Sequence, residues 1–549
     1  MPVRKDRIRQ YVNAWCGLCH RENPDRPLRE VDRLPGYLSE ADGRVWLVRG
    51  CPTHGRIVTL YDEDPEIMTW LERWTAPTKH HRPDTPGNFD PAPMGYARGL
   101  GELQTQHTCI LLTDIVEGCN LACPTCFTDS PTGVGRAVPL EDVLANVDQR
   151  LARENGRLDV VMLSGGEPTL HPELPRLLDE LCDRDIHRIL INTNGVLLAR
   201  DDELLSAIQH HDQRVEVYLQ FDGFRGSTHR HHRGADLSTV KQRAITRLSE
   251  AEIFTTLTMT ASLGVNDDEI GDVINLALAT DYVGGVSVQP EFGSGRSITG
   301  TVDLAVNRNG DGSGTANGAG GQIGIDPLDR LTHTGVLGRL AEQTQGTVTW
   351  RDLTALPCSH PHCASVGYLI KTDDTRWRSL ISLIGEDTLA HHLDLVANRI
   401  TSPELARKTK TLVKEALLGL LSDQTSLSHP DIGQAFSTVC ASCDLGVGAL
   451  AKLAADRLGR GRQLRKLLAE RVVRVTVKPF MDIDTMIEPR LMQCCVHVGT
   501  RSEEGADQCA PFCAVQAWGP LADQRLSLAA DREAATAGGE QLIQLGRRP

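Results

Sequence analysis

The stretch Glu117-Gly118-Cys119-Asn120-Leu121-Ala122-Cys123-Pro124-Thr125-Cys126-Phe127 sets three cysteines at Cys-x3-Cys-x2-Cys, directly after the apolar run Ile110-Leu111-Leu112. Spacings this short let one loop wrap three thiolates around an iron–sulfur cluster. Three thiolates for four irons leave one iron open, as catalytic metal sites keep a free position for chemistry. A zinc knuckle or three unrelated buried thiols is the plainer reading of the spacing, and the residues downstream argue against it.

From Cys109 to Pro290 strand-like and helix-like segments alternate. Strands are expected at 109–115, 158–163, 187–192, 215–221, 254–262 and 284–290, with helices near 139–153, 172–183, 201–210, 238–251 and 266–280. Val160-Val161-Met162-Leu163 has the continuous apolarity of a parallel strand buried on both faces, while Leu140, Val143, Leu144, Val147 and Leu151 share one helical face. Repeated βα units imply an α/β fold with a parallel sheet, open or closed into a barrel. Function in such barrels gathers at the carboxyl ends of strands. The cysteine loop leaves the first strand at that end.

Around this core the expected division is 1–100, 101–292, a glycine-rich insertion at 293–325, and 326–549. The balance of 58 basic against 72 acidic residues gives −14, which argues against a general nucleic-acid binder. The sixteen cysteines fall in clusters, not in the even scatter of a disulfide scaffold. The start lacks an apolar run and no stretch of 18 apolar residues occurs, so neither a secretory signal nor a membrane span is expected. Clustered cysteines in such a chain read as metal sites in a reducing cytoplasm.

Cys16-Gly17-Leu18-Cys19 and Cys51-Pro52-Thr53-His54 form two knuckles. Cys16, Cys19 and Cys51 offer three thiolates and His54 a fourth ligand, with His20 as the fallback. Zinc and a single iron both suit such a set. The C-terminal half adds Cys358, Cys363, Cys440, Cys443, Cys494, Cys495, Cys509 and Cys513, the number that two four-thiolate clusters use. His360 is a possible non-cysteine ligand. Cys109 and Cys182 read as small buried hydrophobes.

Cys119-x3-Cys123-x2-Cys126-Phe127 followed by Ser164-Gly165-Gly166-Glu167-Pro168 resembles the radical S-adenosylmethionine (SAM) superfamily. That resemblance implies a partial barrel of six βα units. It also implies that Cys119, Cys123 and Cys126 hold a [4Fe–4S] cluster whose open iron chelates SAM, giving a 5′-deoxyadenosyl radical after reduction by a flavodoxin- or ferredoxin-type donor. The residues agree. Gly165 and Gly166 permit close backbone approach to a ligand, and Glu167, before Pro168, can accept bonds from an ammonium group. Asn194 and Asp222, at the ends of the third and fourth strands, are placed near cofactor or substrate, although either could simply cap a helix.

The wider pattern adds Pro357-Cys358-Ser359-His360-Pro361, Phe480-Met481-Asp482, Gln493-Cys494-Cys495-Val496-His497 and Pro511-Phe512-Cys513. Together they resemble the tetraether lipid synthase group, whose members are also labelled radical methyltransferases of a dihydropterin. Two auxiliary [4Fe–4S] clusters and a rubredoxin-like metal are implied. So is a C–C bond formed on a lipid chain, with methylation of a pterin or another small molecule as the alternative. An iron–sulfur carrier or scaffold without turnover is a third reading.

Three stretches read as surface. The run His229-Arg230-His231-His232-Arg233-Gly234 is expected as a solvated loop, with contact to a phosphate or carboxylate as the alternative. The insertion Gly293–Gly324 is expected to be a mobile loop. The basic residues from Lys452 to Arg474 read as a solvated helix face, or as a peripheral contact at the inner face of a membrane.

Overall fold

Along each central strand, successive side chains enter two different apolar layers, and that alternation builds the core. Leu111, Val161, Leu163, Ile189, Ile191, Val217 and Leu219 face an outer layer shared with the helices. Ile110, Leu112, Val160, Met162, Leu190 and Tyr218 face an inner one. Burial on both faces is what a parallel sheet requires. The structure is a computed structural model. It describes residues 7–26, 30–74, 107–154, 156–299, 324–356, 359–371, 376–391, 469–501, 507–527 and 543–544.

A four-stranded antiparallel sheet comes first: β1 (Arg7–Ala14), β2 (Leu34–Ala41), β3 (Arg44–Cys51) and β4 (Gly55–Asp62), paired in that order. The main unit follows with β5 (Ile110–Val116), β6 (Leu158–Gly165), β7 (Ile186–Thr193), β8 (Val215–Gln220), β9 (Thr255–Ala261) and β10 (Val283–Pro290). These six are consecutive parallel neighbours. Helices Leu140–Arg153, Leu174–Cys182, Asp202–His210, Ser238–Glu250 and Ile270–Ala279 connect them. The helix Leu140–Arg153 buries Leu140, Val143, Val147 and Leu151, four of the five residues the periodicity selects.

Against the expectation of a separate domain at 326–549, its described residues extend this same sheet. Val472–Val477 pairs parallel with β10, and Val496–Arg501 pairs parallel with β5 on the opposite edge. Antiparallel strands Ser365–Lys371 and Asp507–Pro511 then cover the two new edges. The result is twelve strands, eight of them parallel, along a path that no pairing among the described residues closes into a cylinder. The N-terminal sheet is held through Asp484, a buried carboxylate reached by Arg21 at 2.7 Å and by the fully buried Arg49 at 3.6 Å.

Two glycines fix how the strand ends meet. A Cβ on Gly166 would overlap the Gly118 carbonyl, and one on Gly165, whose φ is +115°, would overlap that of Val116. The close approach of the Gly165-Gly166 turn is therefore to the backbone of the cysteine loop. Gly166→Ala is expected to cost about 1–3 kcal/mol through overpacking and to lower bound iron. Urea unfolding and iron content per chain measure both.

Candidate active site and metal centres

In the N-terminal sheet, Cys16 caps a short helix, Gly17–Glu22, and Cys51 ends β3. His54 Nδ1 lies 3.5 Å from Cys16 Sγ, 3.3 Å from Cys19 Sγ and 3.6 Å from Cys51 Sγ. Cys19 and Cys51 are 3.6 Å apart. Those are the edges of a tetrahedron with metal–ligand bonds of about 2.0–2.3 Å. The other imidazole nitrogen of His54 meets Glu22 at 2.9 Å, an outer partner that orients a ligating ring. Burial pushes the Cys51 thiol up, but hydrogen bonds from His54 outweigh it and bring the pKa down to about 6. His20 is not part of the group.

The second centre is the cysteine loop at the carboxyl ends of β5 to β10. Cys119, Cys123 and Cys126 line one wall of an open cleft. Their sulfurs have donors at hand: Leu121 N at 3.4 Å from Cys119, the Thr128 hydroxyl 3.4 Å from Cys126, and the Arg233 guanidinium beside Cys123. The donors to Cys119 and Cys123 favour their thiolates, but burial outweighs them and pushes both thiols up. Asn194 braces the loop, its Nδ2 donating to Asn120 Oδ1 at 2.7 Å.

Glu167 is buried and takes four hydrogen bonds, from Thr169 N, the Thr169 and Thr193 hydroxyls, and Asn194 N. Three go to Oε1, so Oε2, holding only Asn194 N, keeps capacity for another donor. Glu167 is thus first a strap between the ends of β6 and β7. Pro168 opens the 3-10 turn Pro168–Leu170 beside it.

Asp222 is fully buried and accepts both arms of Arg233, each at 2.6 Å. Burial pushes its carboxyl up, yet the Arg233 charge and hydrogen bonds outweigh that and hold it well below the usual carboxylate range. Arg233 ends the helix Gly226–Arg233, which replaces the expected solvated loop and buries Thr228, His229 and His232. The alternative reading, contact with a carboxylate, describes Arg233. Composition hid this, because spacing on a short charged helix is a weak signal.

Two further residues escaped sequence reasoning. Lys241 is fully buried and donates to Asn194 O at 2.6 Å and Gln220 O at 2.5 Å, and burial lowers its pKa to about 8. Arg296 belongs to the glycine-rich stretch expected to be mobile, yet it clasps the cysteine loop. Its guanidinium reaches Cys123 O at 3.1 Å, Ser130 O at 2.6 Å and Asp129 Oδ1 at 2.6 Å, and its own N–H donates to Cys126 O at 2.9 Å. Only 300–323 of that stretch lies outside the described residues.

Of the eight C-terminal cysteines, Cys358, Cys440 and Cys443 lie outside the described residues, as does most of the basic segment from Lys452. Cys363 and Cys513 flank buried Arg490, whose Nε is 3.4 Å from Cys363 Sγ, and Cys494 lies near both thiols. Burial lowers the Arg490 pKa while Cys363, Tyr61 and Cys513 raise it, and the rise wins. Cys509 departs from the expected set. It faces the outer layer and bonds Arg150, while Cys513 belongs to the inner layer. Cys495 packs in the inner core, and His360 Nδ1 accepts from His362 N. Cys182 packs against the outer core as expected, whereas Cys109 Sγ also meets His107 Nε2 at 3.3 Å.

Residues 113–277 match the family described as the radical SAM superfamily, and residues 8–63 match the HMPTM N-terminal zinc ribbon domain. The chain carries a radical SAM domain. It is 24% identical over 507 residues to the 7,8-dihydro-6-hydroxymethylpterin dimethyltransferase of Methanocaldococcus jannaschii, covering 88% of this chain and 90% of that one. It is 29% identical over 179 residues to GTP 3′,8-cyclase 1 of Mycobacterium tuberculosis, covering 30% of this chain and 47% of that one. A radical SAM methyltransferase from Sphaerobacter thermophilus aligns loosely, with a TM-score of 0.28 and 13% identity over 60% of this chain and 79% of that one. This radical SAM enzyme therefore joins its catalytic domain to a zinc ribbon. No helix among its described residues is long and apolar enough to cross a membrane.

Removing one partner of the Asp222–Arg233 pair strands the other charge. Arg233→Gln is expected to cost about 3–5 kcal/mol in urea unfolding, with part recovered in the double variant Asp222→Asn/Arg233→Gln. A depressed carboxyl pKa contributes stability above the unfolded value of about 4 and loses it as pH falls further, so the gap between wild type and Arg233→Gln should narrow in acid. Separately, Cys51→Ser is expected to release the metal from the ribbon, measured by metal content per chain.

Proposed function

We propose that this radical SAM enzyme is a methyltransferase acting on a pterin or a similar polar heterocycle, with Cys119, Cys123 and Cys126 holding the catalytic [4Fe–4S] cluster. The similarity to a pterin dimethyltransferase over most of both chains supports that reading. The observation that carries it against a lipid substrate is the interior of the cleft. Lys478 lines it and has no carboxylate partner among the described residues; its ammonium stands 6.0 Å from the Tyr218 ring. Burying an ammonium under an alkyl chain carries a prohibitive desolvation cost. A polar ring with carbonyl oxygens would hydrogen-bond it instead.

The rest of the wall agrees. Arg233, Gln220, Asn192 and Ser164 form a hydrogen-bonded ladder across three strands, and Gln289 bonds the Tyr218 hydroxyl at 3.1 Å. Phe127, Phe292, Phe480 and Phe512 crowd one side, with Phe480 and Phe512 centroids 4.4 Å apart. Rings of this kind suit stacking on a planar substrate.

When bound, the cluster and SAM supply reductive cleavage of SAM and with it the means to break an inert C–H bond. The chain orients them. Asn194 and Arg296 hold the cysteine loop, and the second lone pair on Glu167 Oε2 is offered to the SAM ammonium. In this reading Cys363, Cys494 and Cys513 are three ligands of an auxiliary cluster. Arg490 supports that: a buried guanidinium with no carboxylate partner among the described residues is compensated once these thiols are thiolates.

Anaerobically reconstituted protein, dithionite, methyl-deuterated SAM and a dihydropterin should give deuterium in the pterin product. Label that never enters the product, with 5′-deoxyadenosine still formed, would count against methyl transfer. Cys123→Ala is expected to abolish 5′-deoxyadenosine formation.

A further inference from the structure

A second ligand-rich group sits beside the cysteine loop and shares no residue with the three cysteine sites. His231 and His232 lie in the last turn of the helix Gly226–Arg233, and Glu291 follows β10 directly and lines the cleft. One ligand atom from each residue lies within 4.8 Å of the others. The Nε2 atoms of both imidazoles are buried and have no hydrogen-bond partner, so neither ring is simply paired with Glu291. His232 itself is completely buried.

The tautomer of His232 follows from its neighbour. The Thr125 hydroxyl donates to His232 O at 3.3 Å, so its oxygen can only accept from His232 Nδ1, 3.2 Å away. Nδ1 then carries the proton and Nε2 a bare lone pair. A buried lone pair without a donor costs free energy unless something fills it. Glu291 is oriented in the same way: Ser297 donates to one carboxylate oxygen and Ser262 to the other. Each oxygen keeps a second lone pair. Outer partners that fix a ring tautomer and hold a carboxylate are what metal ligands usually have.

We propose that His231, His232 and Glu291 form a mononuclear site for a first-row divalent metal ion in the wall of the cleft. Two imidazoles and one carboxylate suit zinc, iron(II) or cobalt(II), and three protein ligands leave positions open. The ligand atoms lie within 4.8 Å of one another, and two bonds of about 2.1 Å span about 4.2 Å, so at most a small side-chain rotation closes the set on an ion. Glu291 lines the cleft, so an ion held there could take a substrate oxygen in an open position. The site does not depend on the substrate being a pterin.

Zinc is the probe. Reconstituted holoprotein is equilibrated with excess zinc, desalted, and assayed for zinc and iron per chain. Wild type is expected to retain one zinc more than Glu291→Gln and one more than His231→Ala, with iron unchanged in all three. Equal zinc in the three proteins overturns the proposal. Anomalous diffraction at the zinc edge from zinc-soaked wild-type crystals tests it without relying on how a variant folds. A peak between the three side chains supports the site, and its absence overturns it.

Discussion

The contact on which this architecture rests is between two pieces of backbone. The Gly165-Gly166 turn lies directly on the Val116–Gly118 segment, with no room for a side chain between them. That contact sets the entry of the cysteine loop relative to the end of the neighbouring strand. Glu167, next in sequence, then ties the turn to the end of β7 through Thr193 and Asn194. Asn194 reaches back to Asn120 inside the loop. Arg296, coming from the end of β10, closes the arrangement from the far side. Three thiols are thereby held by strand ends spread across the sheet, which makes their geometry a property of the sheet and not of a free loop.

Charge follows the same plan. Each buried cation near a thiol group has a defined counterpart: Arg233 has Asp222 and stands beside Cys123, while Arg490 stands between Cys363 and Cys513. Lys241 is the exception, since it meets only carbonyl oxygens. That explains why burial dominates its pKa, and why it serves as a rivet between the ends of β7 and β8.

The six central strands and five helices were legible because long apolar periods are a strong signal. The strand read at 187–192 lies within Ile186–Thr193, and the helix read at 201–210 contains Asp202–His210. Misreadings came where composition stood in for geometry. Residues 229–233 are so rich in charge that a surface loop was the natural inference, although the helix turns His229, His232 and Arg233 inward. Arg296 sits among glycines and serines that cannot build a core, and its role depends on chain segments 170 residues away. Counting cysteines could not show that adjacent positions on Asp507–Pro511 face opposite layers, with Cys509 outward and Ala510 inward. Gly165 and Gly166 read as allowing close approach to a ligand; what lies against them is the backbone of Val116–Gly118.

The two parallel strands contributed by residues 472–501 carry a consequence for how the protein is made. They cap opposite edges of a sheet whose other parallel strands end at Pro290. On a ribosome, both edges stay unpaired while about two hundred further residues are synthesised. Exposed strand edges invite pairing with other chains. The nascent protein therefore passes through a long interval in which its cysteine loop and two unpaired sheet edges are open together.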